Sequence, residues 1–177
     1  ADRLRPDALE ALARLKAEGI DCSILSGDNG PATAQMARAT GLTAQSSATP
    51  ADKCDAISRL QAGGRTVLMV GDGLNDGPAL SAADASMAPG TASDVGRQAA
   101  DLVFLGDSLL ALPRAVLGAR RTMRVVKQNF VLAIGYNVLA VPLAIAGVVT
   151  PLLAAIAMST SSLIVIANSL RLARPVK

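Results

Sequence analysis

Through about residue 106 the chain alternates short apolar runs, bounded by turn residues, with segments whose apolar positions recur at helical spacing. That alternation predicts parallel strands joined by crossover helices, a Rossmann-like layering. Pro6 to Ala17 reads as a helix with Ala8, Leu9, Leu12 and Leu15 on one face, stopped by Gly19. Ile20 to Leu25 reads as a strand that delivers Ser26-Gly27-Asp28 to its carboxyl end. A helix over Pro31 to Thr40, a strand near Leu42 to Gln45, a helix over Ala51 to Ala62 and a strand over Thr66 to Val70 follow. After the turn Gly71-Asp72-Gly73-Leu74-Asn75-Asp76 the pattern predicts a short helix (Pro78 to Ala83), an extended piece (Ala85 to Met87), a helix (Ser93 to Ala100) and a last strand (Leu102 to Leu105).

Beyond that point the pattern changes. A basic helix from about Ser108, carrying Arg114, Arg120, Arg121, Arg124 and Lys127, leads into a stretch from Gln128 to Leu170 in which no residue is charged. Phe130 to Val149 and Leu152 to Leu170 each match the roughly 20 residues needed to cross about 30 Å of hydrocarbon. Together they read as a transmembrane helical hairpin turned at Thr150-Pro151, the competing reading being an apolar hairpin in a soluble core. Five bases stand at the entrance, Arg171, Arg174 and Lys177 at the exit, and none in the turn, which predicts that both ends are cytoplasmic. Pro142 and Gly147 are expected to bend the first helix.

Composition sharpens this division. Hydrophobic residues make up 51% of the chain and aromatics only 2%, an unusual balance for a purely soluble domain. All fourteen acids lie at or before Asp107; the remainder holds eight bases and no acid. The net charge of +3 therefore averages an acidic part and a basic part, and no aromatic-rich basic face supports nucleic-acid binding. Cys22 and Cys54 are too far apart for a CxxC pair and are expected to be free thiols in a reducing compartment. The chain opens inside a helical pattern, without an initiator Met or a leader of the signal-peptide kind, so it is expected to be part of something longer.

The candidate chemistry collects where an open α/β sheet binds ligands, beyond the carboxyl ends of its strands. Asp72 and Asp76 can hold Mg²⁺, which takes hard oxygen ligands and keeps waters and phosphate oxygens in its shell. Gly71 and Gly73 let the backbone approach a phosphoryl group. On the Asp motif alone, a surface turn is the competing reading. Ser26, followed by Gly27 and Asp28, offers a hydroxyl and backbone N–H groups to a phosphoryl oxygen, and Lys53 at a helix start offers a compact cation. A nucleophile is missing, because no acid stands in an Asp-Lys-Thr-Gly-Thr context.

Ser-Gly-Asp at 26–28, Pro-x-x-Lys at 50–53 and Gly-Asp-Gly-x-Asn-Asp at 71–76 resemble the second, third and fourth motifs of haloacid-dehalogenase-like phosphotransferases in the form used by P-type ATPases. Pro78-Ala79-Leu80 and Ala100-Asp101 agree with that, and Gly77 stands where relatives often carry Ala or Ser. The resemblance extends over essentially the whole chain to the heavy-metal-transporting (CPx-type) pumps. Met87-Ala88-Pro89-Gly90-Thr91 and Asp94-Val95-Gly96-Arg97 are similar to the copper-exporting branch that serves cbb-type cytochrome oxidase assembly. It implies a fold made of part of a haloacid-dehalogenase-like phosphorylation domain followed by the last two membrane helices. It also implies ATP as substrate, Mg²⁺ as cofactor, and an aspartyl phosphate formed on an upstream Asp. Ser26 and Lys53 would stabilise the transferred phosphoryl group, with Gly27, Asp28, Gly71 and Gly73 around it. Asp72 would hold Mg²⁺, with Asn75 and Asp76 supporting the site.

Within the hairpin, Tyr136-Asn137 and Met158-Ser159-Thr160-Ser161-Ser162 are the polar residues that need an explanation. Taken alone, they are most simply read as helix-packing hydroxyls and a gap-filling Met. The resemblance reverses that preference: Tyr-Asn followed by Met-x-x-Ser-Ser looks like the signature of Cu⁺ pumps, so Tyr136, Asn137, Met158 and Ser162 would line the route of Cu⁺, or of Ag⁺. A thioether suits such soft ions. The expected organisation is a phosphorylation-domain part over 1–107, a linking helix over 108–127, and two membrane helices (about 130–149 and 152–170) with a short cytoplasmic tail over 128–177. Expected partners are the rest of the same pump, its nucleotide-binding domain and other membrane helices, and a copper chaperone or the oxidase assembly. By itself the chain is expected to be inactive, in a bacterial inner membrane. A membrane-anchored Mg²⁺-dependent phosphatase and a non-catalytic membrane interaction fragment remain the rival functions.

Overall fold

The computed structural model describes residues 4–72, 74–106 and 108–173. They form two compact units, residues 1–113 and 114–177. In the first, helix α1 (Ala8–Ala17) precedes strand β1 (Ser23–Leu25), α2 (Gly30–Thr40), β2 (Thr43–Gln45), α3 (Pro50–Ala62) and β3 (Leu68–Val70). A single 3₁₀ turn over Leu74–Asp76 leads into α4 (Gly77–Ala82), β4 (Ala85–Pro89), α5 (Asp94–Ala99) and β5 (Leu102–Phe104). Helix α6 (Ala111–Ile145) and helix α7 (Pro151–Leu170) follow, with a 3₁₀ turn over Arg171–Ala173.

All strand pairs are parallel. β1 pairs with β2, placing Ile24 opposite Ala44. β3, β4 and β5 form a second sheet in that order, with Met69 opposite Ser86 and Ala88 opposite Val103. β4 is the central strand of its sheet and reads Ala-Ser-Met-Ala-Pro, with all but its first residue buried. The polar exception, Ser86, is satisfied by Asp101: its N–H and Oγ both donate to Asp101 Oδ2 (2.8 and 3.0 Å), and its Oγ accepts from the Asp101 N–H (3.1 Å). Ile57 of α3, with Ala79 and Leu80 of α4, is almost fully enclosed where these two helices pack together. Burying one such branched side chain contributes about 1.5–3 kcal/mol.

Four of the five strands are shorter than the apolar runs that predict them, while β4 extends past the expected Ala85 to Met87 as far as Pro89. Ile20 to Cys22 and Thr66 and Val67 lie outside the paired segments, because a parallel ladder needs a neighbour and the runs overhang theirs. The starts of α2, α3 and α5 agree with the sequence to within one residue, and short polar caps fix them. Asn29 Oδ1 accepts from the Ala32 N–H (3.2 Å) at α2, and Ser93 Oγ accepts from the Gly96 N–H (3.1 Å) at α5. At α3 the cap is reciprocal: Thr49 Oγ1 accepts from the Asp52 N–H (3.2 Å), while Asp52 Oδ2 accepts from the Thr49 N–H (2.9 Å).

In the second unit α6 runs unbroken through Pro142, whose missing N–H removes one helical hydrogen bond. Gly147 does not bend the helix; it ends it. With φ at +71°, Gly147 takes the left-handed conformation, its N–H donates to Ala144 O, and the Val148 N–H donates back to Leu143 O (3.1 Å). That pairing satisfies carbonyls which would otherwise be orphaned at the helix end, so the first span stops at Ile145 rather than Val149. Thr150 Oγ1 then accepts from the Leu153 N–H (3.3 Å) and starts α7 with Pro151 in its first turn. Both helices are long and apolar enough to cross a membrane and present large side chains outward, Ile145 at 83% and Leu152 at 70% exposure.

The Asp52 carboxyl is held below its ordinary 3.8, first by its bonds to the Thr49 side chain and backbone. A carboxyl depressed on folding stabilises the native state above its unfolded pKa and loses that contribution as pH falls through the folded value. The first turn of α3 should therefore lose amide hydrogen-exchange protection only below pH 3.8 in the native protein, and already at neutral pH in Thr49→Ala, for which a cap loss costs about 0.5–2 kcal/mol. Equal protection of the two proteins at neutral pH would contradict the reciprocal cap.

Candidate phosphoryl-transfer site

Two hydrogen-bonded clusters stand at the carboxyl ends of parallel strands. The first follows β1, where Ser26 Oγ donates to Asp28 Oδ2 (2.9 Å) and accepts from the Asp28 N–H (3.1 Å). The Ser26 N–H donates to Gln45 O at the end of β2, and Ser26 O accepts from the Ala48 N–H, so the backbone holding this hydroxyl is tied on both sides. Gly27 sits in ordinary surroundings: a Cβ added there would meet only Ala48 O at 3.7 Å.

The second cluster joins α3 to the turn after β3. Lys53 Nζ donates to Asp76 Oδ1 at 2.6 Å, with side-chain exposures of 9% and 13%. The capped first turn of α3 aims the lysine, because Thr49 and Asp52 fix where that helix begins. Asp76 is placed by the 3₁₀ turn and by the backbone it leans on: a Cβ at Gly71 would lie 2.8 Å from Asp76 Cβ and 2.9 Å from its Oδ2. No side chain fits at Gly71, since the carboxylate occupies the space.

Asp72, the next residue, is exposed. Its carbonyl accepts from the Ser93 N–H (3.1 Å), which ties the turn to the start of α5, and Gly96 packs closely enough that an added Cβ would stand 3.4 Å from that carbonyl. Asn75 is also exposed, and Gly73 lies outside the described residues. Among the described residues no three His, Cys, Asp or Glu side chains gather into a metal cage. The donor set nevertheless fits Mg²⁺, which needs one or two carboxylates and fills the rest of its octahedron with water and phosphate oxygens.

To the expected places of Lys53 at a phosphoryl group and Asp76 beside a metal, the structure adds a direct bond between the two, a contact over 23 residues that is invisible to local pattern. The two cysteines are free and half-buried, with the Cys22 thiol pushed above its ordinary value by burial and then by Asp21.

In the second unit, Tyr136 lines an interhelical cleft of about 370 Å³ together with Leu132, Ala157, Thr160, Ser161 and Ile164. Asn137 Nδ2 donates to Ala133 O of its own helix (2.8 Å), and Met158 (66% exposed) and Ser162 are exposed. Tyr136 alone of the four candidate ion-route residues lines this cleft.

Comparison with known proteins identifies the family. The family described as haloacid dehalogenase-like hydrolase matches residues 1–84. The nitrogen fixation protein FixI of Rhizobium leguminosarum bv. viciae is 59% identical over 97% of this chain, and the copper-exporting P-type ATPase of Mycobacterium tuberculosis is 44% identical over the same share. A zinc-transporting PIB-type ATPase in its E2·Pi state superposes with a TM-score of 0.93 at 35% identity, covering 98% of this chain and 28% of that one. Over nearly its whole length this chain matches one stretch of the heavy-metal P-type ATPases. It spans 23% of the length of these curated relatives, and it carries the haloacid-dehalogenase-like fold and two apolar helices of a membrane protein.

The close approach at Gly71 makes a sharp distinction between two glycines of the candidate site. Gly71→Ala should destabilise the first unit by about 1–3 kcal/mol, because overpacking cannot be relieved while Lys53 holds Asp76. Gly27→Ala should be nearly neutral. Thermal unfolding of the two variants side by side would contradict the packing described if the order were reversed.

Proposed function

We propose that this chain is part of an ATP-driven Cu⁺ exporter working through an aspartyl phosphate. The observation that carries the reading is the Lys53–Asp76 pair seated against Gly71, beside the open carboxylate of Asp72, in the same chain as the uncharged α6–α7 hairpin. The copper-exporting relative supports the cargo only in part, since the superposed structure is named for zinc. Tyr136-Asn137 and Met158, with its soft thioether, favour Cu⁺ or Ag⁺.

In this reading an Asp carboxylate elsewhere in the parent protein attacks the γ-phosphorus of ATP, the bond to the bridging oxygen breaks, and ADP leaves. β1 and β3 each have a side unpaired among the described residues, and the segments before them are tied by the Arg65 Nη1–Asp21 Oδ2 pair (3.0 Å). A parallel strand carrying the nucleophile pairs between them, which brings its carboxyl end to both clusters. Ser26 exchanges its bond to Asp28 for one to a phosphoryl oxygen. Lys53 has three donors and gives one to Asp76, so two remain for the phosphoryl group. Asp72 holds Mg²⁺, with Asp76 and Asn75 behind it; the ion neutralises charge on the transferred group.

Tyr136, Asn137, Met158 and Ser162 complete their ion route with membrane helices outside this chain. By itself the chain does not hydrolyse ATP. The parent is placed in a bacterial inner membrane with both ends of this chain cytoplasmic, in line with the distribution of Arg and Lys. Its partners are the rest of the pump, with a copper chaperone or the cbb-type oxidase assembly at the delivery end.

In the full-length protein, Asp72→Asn should abolish phosphoenzyme formation from ATP and Mg²⁺; normal labelling of that variant would refute the Mg²⁺ assignment. Met158→Ala should weaken Cu⁺-stimulated turnover while back-phosphorylation by inorganic phosphate stays near the wild-type level. Unchanged activation by Cu⁺, compared with Ag⁺ and Zn²⁺, would return Met158 to a packing role.

A further inference from the structure

The pump reading uses the phosphoryl site, the middle of the hairpin and the orientation that its flanking bases imply, and assigns those bases no ligand. Every Asp and Glu of the chain lies at or before Asp107, so residues 114–177 hold eight bases and no acid. Arg120, Arg124 and Lys127 follow one another at spacings of four and three, which sets them on one face of α6 over about 10 Å. Arg124 and Lys127 are exposed, and Phe130, three residues further on, is 64% exposed at the start of the uncharged span.

The end of α7 is fixed at the same level. Asn168 Nδ2 donates to Asn129 Oδ1 (2.9 Å) and to Gln128 Oε1 (3.3 Å), and Asn129 Nδ2 donates to Ser169 Oγ (3.0 Å). Arg171 Nη1 donates to Asn168 Oδ1 (3.2 Å), and Arg121 donates to the Arg171 carbonyl. These partners are neutral amides, a hydroxyl and a carbonyl. They orient the Arg171 side chain and carry no charge themselves.

We propose that this level of the hairpin is a binding site for anionic phospholipid headgroups, with Arg124 and Lys127 as its principal cations and Arg171 at its edge. The headgroup phosphate fits the chemistry: it is accepted by the Arg fork through paired N–H donors and by Lys as a point charge, at the depth where polar side chains give way to apolar ones. The amide cluster between Asn129 and Asn168 positions the site by holding the end of α7 against the middle of α6. The proposal depends on α6 and α7 lying in a membrane and is independent of the cargo.

The test uses the full-length protein in phosphatidylcholine vesicles containing a trace of spin-labelled phosphatidylglycerol or spin-labelled phosphatidylcholine, with protein-bound lipid read from the immobilised fraction of the spectrum. The expected result is a severalfold preference for phosphatidylglycerol at low salt that weakens as salt is raised. Arg124→Gln with Lys127→Gln should reduce the preference by up to roughly fivefold per charge. Arg124→Lys with Lys127→Arg should retain it, as should Lys16→Gln in the soluble unit. Should the double Gln variant fail to fold, the two single substitutions carry the comparison. Equal association of the two lipids, an undiminished preference in the neutralised variants, or loss of the preference on adding inorganic phosphate at constant ionic strength would each overturn the site. Phosphorylation from ATP, assayed on the same samples, separates this outcome from failure of the pump reading: a protein that prefers phosphatidylglycerol but forms no phosphoenzyme counts against the pump alone.

Discussion

The contact between Lys53 and Asp76 organises the first unit. Its two groups are almost removed from water and sit 2.6 Å apart, which makes each the other's compensation for lost hydration. Removing one member of such a pair leaves an uncompensated buried charge, typically costing about 3–5 kcal/mol, whereas the intact pair contributes much less to net stability. Its role is therefore positional. It fixes α3 against the turn after β3, and it does so only because a reciprocal cap at Thr49 and Asp52 sets the start of α3 and because Gly71 has no Cβ in the space the carboxylate fills.

The helices of this fold were legible along the sequence because their determinants are local. Asn29, Thr49, Ser93 and Thr150 are short polar residues just before helix starts, and each accepts the backbone donor expected of a cap. Strand ends were less legible, since pairing depends on a neighbour: Ile20 to Cys22 are as suited to a strand as Ser23 to Leu25 but have no ladder partner. Gly147 shows the same limit from the other side. As a residue type it suits either a bend or a stop, and the left-handed φ with the Val148 to Leu143 bond selects the stop.

The candidate site was legible as residue types and positions, and illegible as contacts. Ser26, Lys53, Asp72 and Asp76 stand out because strand ends followed by Gly and Asp are where phosphate and Mg²⁺ chemistry collects. Nothing local revealed that Lys53 bonds Asp76, that Ser26 bonds Asp28, or that the Asp72 carbonyl is anchored by Ser93. The hairpin shows a similar split. Its uncharged length was plain in the sequence, while the amide cluster of Asn129 and Asn168 joins residues 39 apart and needed the fold to be seen.

The division of labour between the two aspartates follows from the lysine. Asp76 gives Oδ1 to Lys53 and lies almost out of water, with Oδ2 in the space a Gly71 Cβ would fill, whereas Asp72 is exposed on the same turn. In the proposed pump a metal on this turn would thus have one open carboxylate from the described residues, and a hard, strongly hydrated ion bound that way holds weakly until phosphoryl oxygens complete its shell. Mg²⁺ affinity and phosphoryl occupancy would then be coupled, each group raising the affinity for the other by the same factor. A second free carboxylate would weaken that coupling by holding the ion before the phosphoryl group arrives. Spending Asp76 on Lys53 keeps the site dependent on its substrate.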